Sequence, residues 1–164
     1  MTVLPDLLGP ELAILFCGTA AGNESARRNA YYAGRGNKFW RTLYEVKLTP
    51  RVLLPEEYSE LLAHGLGLTD LAKSKAGMDD KLTSSDFSRE HLRAALRKWQ
   101  PAIVAFTSKR AAKEYFGKKV DYGPQKQSEG STAFFVLTSP SGAGNRWWSI
   151  EPWKRLALMK GSKA

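Results

Sequence analysis

The length of 164 residues, 43% of them hydrophobic, predicts one globular domain over residues 1–164 with a buried core. Lysine and arginine number 25 against 16 acidic residues, and the formal charge of +9 favours a polyanionic partner, nucleic acid before a membrane surface. The one cysteine, Cys17, excludes an internal disulfide and an all-cysteine zinc or iron–sulfur site. With no membrane-length apolar segment and no signal pattern, we expect a cytoplasmic protein.

Apolar runs and helical patterns alternate along the chain. Four runs have the length of buried strands: Glu11–Cys17, Gly65–Leu71, Ala102–Phe106 and Thr132–Leu137. Five helical patterns are predicted. The first begins at Asn37 and the second covers Pro55–His64. The third follows a Ser88 cap and stops at Pro101, the fourth follows the third strand and runs through Phe116, and the fifth covers Ser149–Lys160. Residues 19–36 and 73–87 are polar and predict loops. This alternation predicts a three-layer α/β/α fold with a central, mostly parallel four-stranded sheet.

Two of the predicted strands run into segments of small residues. The first segment is Gly18–Gly22, and the second begins at Thr138 and extends to Arg146. Ligand sites of α/β proteins lie at the carboxyl ends of the strands. Because neither segment carries bulky side chains, its backbone amides can approach a ligand closely.

These segments resemble those of the uracil-DNA glycosylase superfamily, and within it the mismatch-specific uracil/thymine branch. The matching motifs are Phe16-Cys17-Gly18 with Gly22, Asn37-Lys38-Phe39-Trp40, and Pro140-Ser141-Gly142 with Arg146. The resemblance runs from Leu12 to the terminal helix and implies the same fold. In the family the first segment reads Gly-x-Asn-Pro-Gly, whereas this chain has Ala20 and Ala21 at the Asn and Pro positions.

The resemblance implies a pocket that receives a base flipped out of DNA. Its floor would be Gly18, Thr19, Ala20, Ala21 and Gly22, and Tyr32 would be its aromatic wall. Backbone amides around Thr19 would bind a carbonyl oxygen of the base. Stacking of a base on an aromatic ring contributes about 1–3 kcal/mol.

The group that handles the attacking water has to differ from the family's Asn, because an alanine methyl cannot hold a water. Asp70 is the first candidate: it lies at a predicted strand end, and a carboxylate there could deprotonate water and stabilise an oxocarbenium-like sugar. Capping of the next turn is an alternative use of Asp70. Asn23 and Glu24, directly after the floor segment, are the rival candidates.

The second segment would contact DNA and fill the gap left by the flipped base. Its predicted contact residues are Ser141, Gly142, Ala143, Gly144, Asn145 and Arg146, with Lys109 after the third strand as a phosphate contact. Trp147 and Trp148 follow and either pack beneath the segment or contact DNA. The only histidines, His64 and His91, lie in predicted helices, so this segment lacks the histidine of the classical uracil glycosylases.

The resemblance therefore implies a monofunctional DNA glycosylase that needs no metal or cofactor. Its expected partner is double-stranded DNA with a damaged or mismatched base, bound by a monomer. Uracil, chiefly opposite guanine, is the first substrate, and hypoxanthine or xanthine is the alternative. A protein that binds lesions or abasic sites without cleaving them is the rival from another functional class, and a basic RNA-binding module has little support.

Overall fold

The computed structural model of the protein describes residues 3–73, 76–77 and 87–163, without the side chains of 143–145 and 161–163. The strands are β1 (Ile14–Ala20), β2 (Leu66–Ala72), β3 (Ile103–Phe106), β4 (Gly123–Glu129) and β5 (Thr132–Val136). The α-helices are α1 (Asn23–Arg28), α2 (Phe39–Glu45), α3 (Arg89–Trp99), α4 (Lys109–Phe116) and α5 (Glu151–Lys163). Two 3₁₀ helices cover Pro55–His64 and Gly142–Trp147.

The strands form one sheet in the order β2-β1-β3-β5-β4. Strands β2, β1, β3 and β5 are parallel to one another, and the edge strand β4 pairs with β5 in the antiparallel direction. The predicted α/β class is confirmed, but the predicted count of four strands is wrong by one. The missed strand, β4, is an edge strand whose sequence, Gly-Pro-Gln-Lys-Gln-Ser-Glu, contains no large apolar residue, so it carries no apolar alternation.

Each face of the sheet buries its own apolar layer, because side chains of a strand alternate between the two faces. In β1, Ile14 and Phe16 enter one layer, whereas Leu15 and Cys17 enter the other. The first layer packs against α2, α5 and the 3₁₀ helix Pro55–His64. The second packs against α3 and α4. The sheet is therefore sandwiched between helices, as the alternation predicted.

Two local predictions are corrected. Gly18 was expected to end the first strand, yet β1 continues through it to Ala20, because β2 pairs with β1 as far as Ala72. Residues 19–36 were expected to be a loop, but they contain the short helix α1, in which only Ser25 is buried. A one-residue buried stripe is too weak a signal for sequence periodicity to detect.

The Ser88 side chain accepts a hydrogen bond from His91 N, so α3 begins at the predicted N-cap. The Ser108 side chain, which was not predicted as a cap, accepts a hydrogen bond from Ala111 N at the start of α4. The predicted loop 73–87 lies mostly outside the described residues. Within the described ranges, no helix has both the length and the apolarity needed to cross a membrane.

Candidate functional site

Three residues on neighbouring strands meet at the carboxyl end of the sheet. Gly18 on β1 pairs in register with Asp70 on β2, and Thr107 directly follows β3. A methyl group placed on Gly18 would lie 2.7 Å from Asp70 Oδ1 and 3.3 Å from Thr107 Oγ1. Glycine at position 18 therefore lets the two oxygen-bearing side chains converge over the backbone of the central strand.

Tyr32 covers this group of side chains. Its hydroxyl hydrogen-bonds with Thr107 Oγ1 (3.1 Å), and its ring stacks on Phe39 at 3.9 Å with an interplanar angle of 18°. The backbone at Tyr32 has φ of 53°, a left-handed conformation that is uncommon for a bulky residue and costs about 1–3 kcal/mol. Such strain persists only where surrounding contacts hold the residue, and the stacked ring and hydrogen bond do so here.

A pocket of about 700 Å³ opens above this group. It brings together all six residues predicted for the base pocket: Gly18, Thr19, Ala20, Ala21, Gly22 and Tyr32. It is also lined by all three candidates for the water-handling role, Asp70, Asn23 and Glu24, and by Ser141 and Gly142 of the second segment. The structure thus places these residues around one cavity, while their roles in catalysis or binding stay predictions.

The Asp70 carboxyl is buried, with 4% of the residue exposed. Burial raises its pKa from 3.8 to about 6, against the lowering effects of the nearby Lys73 ammonium and of a hydrogen bond from the Gly18 backbone. A carboxyl with this pKa is mostly ionised near neutral pH and yet basic enough to take a proton. Strongly perturbed carboxyls in a cavity are typical of functional sites.

The rival side chains have other surroundings. Glu24 is paired with Arg27 at 2.7 Å on an exposed surface, and the hydrogen bond from Arg27 lowers the pKa of its carboxyl. Asn23 is exposed at the start of α1. Neither shares the buried environment of Asp70, although both line the pocket.

Cys17 lies beneath the site in the second apolar layer. Burial, with a further contribution from the Asp70 charge, raises the pKa of its thiol well above the ordinary value. A neutral buried thiol is a poor nucleophile and a poor metal ligand. Cys17 is therefore a core residue, as expected from its apolar strand.

The second segment reaches both the pocket and the molecular surface. Ala143, Gly144 and Asn145 belong to the 3₁₀ helix Gly142–Trp147, and their side chains lie outside the described part of the structure. Arg146 is exposed and lies over the Trp147 ring at 5.5 Å. The structure separates the two tryptophans: Trp148 packs against Trp153, whereas Trp147 is 69% exposed.

Lys109 does not line the pocket. It is exposed at the first turn of α4, where its ammonium lies 4.3 Å from the centre of the Tyr122 ring. Because α4 follows β3 directly, Lys109 sits at the same end of the sheet as the pocket. A phosphate bound by Lys109, as predicted, would lie on the surface beside the cavity and not inside it.

Several pocket residues were not anticipated from the sequence, among them Leu4, Tyr31 and Thr107. Thr107 could have been found, because a polar residue directly after a buried strand is the signal that singled out Asp70. Leu4 carried no such signal; it reaches the cavity because the N-terminal segment lies beside β2, with Leu7 bridging Leu68. In the described ranges, no group of three or more His, Cys, Asp or Glu side chains is placed to hold a metal ion.

Comparison with known proteins adds two findings. The family model for the uracil DNA glycosylase superfamily matches residues 5–160. The structure is similar to a solution NMR structure from Methanosarcina acetivorans, described as that of a candidate uracil DNA glycosylase, with a TM-score of 0.63 and 21% sequence identity. That match covers 98% of this chain and 97% of the other chain. At this identity the structural likeness establishes the fold.

Proposed function

Because the chain belongs to the uracil DNA glycosylase superfamily, we propose that it is a DNA glycosylase that hydrolyses the N-glycosidic bond of a base flipped into the pocket. The observation that carries this proposal is the buried Asp70 carboxyl at the floor of the cavity, beside Gly18 and Tyr32.

Asp70 acts on the water. As the bond between C1′ and the base breaks, positive charge develops on the sugar, and the carboxylate stabilises it through space. The water oxygen bonds to C1′, and one water proton passes to Asp70. The base departs with the bonding electron pair and takes its proton from solvent. The product is an abasic site in the DNA strand.

Tyr32 and the floor residues hold the base. The Tyr32 ring is fixed by its stacking on Phe39 and by its hydrogen bond to Thr107, so it offers a wall that needs little ordering when a base enters. Ala20, at the last position of β1, adds only a methyl group to the lining. Recognition of the base edge therefore rests on the backbone and on the neighbouring polar side chains.

Uracil opposite guanine is the first substrate that we propose, because the motifs of this chain resemble those of the mismatch-specific branch. Hypoxanthine and xanthine are the second, since a pocket of about 700 Å³ does not exclude a bicyclic base by size. The lesion-binding alternative rests on Ala20, whose methyl group cannot hold a water. It requires that Asp70 play no part in chemistry.

The test is single-turnover cleavage of labelled duplexes, followed by alkali to reveal abasic sites. The duplexes carry uracil, hypoxanthine or xanthine, each opposite guanine and opposite its normal partner. Asp70→Asn should lower the rate by at least about 100-fold, the scale for loss of an acid–base group, and leave affinity for DNA nearly unchanged.

Asp121→Asn is the matched control, since Asp121 is an exposed carboxylate before β4, at the other edge of the sheet from β2. Its cleavage rate should equal that of the wild type. Equal rates for Asp70→Asn and the wild type would remove Asp70 from the mechanism. Tight binding of damaged duplex without cleavage of any base would instead support the lesion-binding function.

A further inference from the structure

A cluster of charged side chains lies behind the pocket, beyond the residues used so far. Asp6 is at its centre: its Oδ1 accepts hydrogen bonds from Thr69 Oγ1 (2.8 Å) and from Lys73 Nζ (2.9 Å). Its Oδ2 lies 2.7 Å from His91 Nε2. The side chains of Asp6 and Lys73 are each only 12% exposed. An ion pair this well buried interacts much more strongly than one in water.

Lys73 connects this cluster to the pocket. It directly follows β2, three residues after Asp70, and its ammonium also donates to the Tyr31 hydroxyl (3.0 Å). Tyr31 lines the cavity, and its hydroxyl donates to the Pro5 carbonyl (3.0 Å). The Lys73 charge is thus fixed between the N-terminal segment and the pocket wall.

Titratable groups from several elements face Asp70 in the described part of the chain. The Lys73 and His91 charges favour its ionised form, and the Asp6 charge opposes it. The other groups are Tyr31, Tyr32 and Cys17, whose pKa values are all raised, chiefly by burial. These three are neutral near pH 7, so the charges that act on Asp70 come from Lys73 and Asp6, and from His91 where its ring is protonated.

We propose that Lys73 is a positioning residue of the site, held by Asp6 and Tyr31 so that its charge keeps Asp70 in the carboxylate form when a base fills the pocket. A bound base excludes water from Asp70, which makes the carboxylate costlier and the fixed ammonium more effective. The Asp6 charge opposes part of the effect of Lys73 on Asp70, but the Asp6–Lys73 ion pair also holds the ammonium in place. The catalytic use of Asp70 rests on the proposed function, but the charge arrangement does not.

Two variants that break the same ion pair distinguish this role from a merely structural one. Lys73→Met and Asp6→Asn both break the Asp6–Lys73 ion pair, one of the contacts between the N-terminal segment and the end of β2, so a structural role would move the Asp70 midpoint in the same direction in both variants. An electrostatic role would move the Asp70 midpoint in opposite directions in the two variants. Removing the ammonium makes Asp70 harder to ionise, whereas removing the Asp6 charge makes it easier.

The measurement is an NMR titration of the Asp70 side-chain carboxyl carbon in the whole protein labelled with ¹³C-aspartate. Its signal is identified by its loss in Asp70→Asn. The wild type should titrate near pH 6. Lys73→Met should raise the midpoint by about one pH unit and Asp6→Asn should lower it, the size expected for one nearby charge.

Two further variants serve as a control for net charge and as a second test of the cluster. Lys119→Met removes an exposed lysine away from the pocket, changes the net charge equally, and should leave the midpoint unchanged. His91→Gln alters a more exposed member of the cluster and should raise the midpoint by less than Lys73→Met does. It supplies the measurement if either buried variant fails to fold. Midpoints that stay fixed, or that move the same way in Lys73→Met and Asp6→Asn, would overturn the proposal.

The titration reads Asp70 directly, so its result is independent of activity. If the midpoints move as expected while no duplex is cleaved, the glycosylase function fails and the role of Lys73 stands. If the wild type cleaves a duplex, the acid limb of the single-turnover rate should move with the NMR midpoint in each variant. If the acid limb of the rate did not move with the NMR midpoint, Asp70 would not be the group whose ionisation controls cleavage.

Discussion

Asp70 occupies a position where ionisation is unfavourable for the folded chain. Its pKa of about 6 lies above its ordinary value because burial penalises the charged form. The folded state therefore holds a proton that the unfolded chain has already released between about pH 4 and pH 6. Across that interval this group makes the folded state less stable as pH rises, and the loss is complete above pH 6. Near neutral pH, the Asp70 carboxylate therefore destabilises the folded protein.

Asp70→Asn should accordingly make the protein more stable. The gain should be near zero at pH 4 and reach about 3 kcal/mol at pH 7–8, as expected for a pKa difference of about 2 units. Urea unfolding of both proteins at several pH values measures it. A variant no more stable than the wild type at pH 8 would contradict this account of Asp70, and Asp121→Asn should show no comparable gain.

At the scale of elements, the parts visible in the sequence were those with apolar periodicity. The strands β1, β2, β3 and β5 were predicted because each is buried on both faces, and the Ser88 cap marks where α3 begins. The helix α1 and the edge strand β4 were missed, since neither buries an apolar stripe. Pocket residues at strand ends could likewise be predicted, whereas Leu4 could not, because it belongs to the N-terminal segment and reaches the pocket only through the tertiary fold.

The 3₁₀ helix Gly142–Trp147 starts in the pocket lining and ends in an exposed tryptophan. Trp147→Ala should weaken binding to a duplex with a stable abasic-site analogue by about 10-fold, because an indole that stacks on a base contributes about 1–3 kcal/mol. Fluorescence anisotropy with labelled duplex measures the affinity.

Trp99 provides the matched control for Trp147. It also follows a basic residue whose charge lies over its ring, with Lys98 Nζ at 5.0 Å, but it ends α3 just before β3 begins, at the opposite end of the sheet. Trp99→Ala should leave the affinity unchanged. An equal loss of affinity in both variants would mean that Trp147 has no contact with DNA of its own.

At the scale of the whole molecule, the charge of +9 gives the protein a general attraction for DNA. Exposed cations stand at the pocket end of the sheet: Arg35 in the pocket lining, Lys109 at the start of α4 and Arg146 in the 3₁₀ helix. Under the proposed function, we expect cations in these positions to contact the phosphates on either side of the flipped base.

Affinity for undamaged duplex should therefore fall steeply with salt. Each phosphate contact contributes about −0.9 to the slope of log K against log salt concentration. Arg146→Ala should make the slope shallower by about 1, and the anisotropy titration repeated at several salt concentrations measures it. A slope that is flat in the wild type, or equal in the two proteins, would remove Arg146 and the basic surface from DNA binding.

The pairing of Gly18 with Asp70 across two parallel strands has a consequence for how this protein can diverge. Deleting or inserting one residue within β2 would turn the carboxylate to the opposite face of the sheet, into an apolar layer, and abolish the site in one step. The segments 29–38 and 139–148 carry much of the pocket mouth and are under no such constraint of parity. Under the proposed function we therefore expect changes of base preference in those two segments, where a change in length leaves the register of β1, β2 and β3 unchanged.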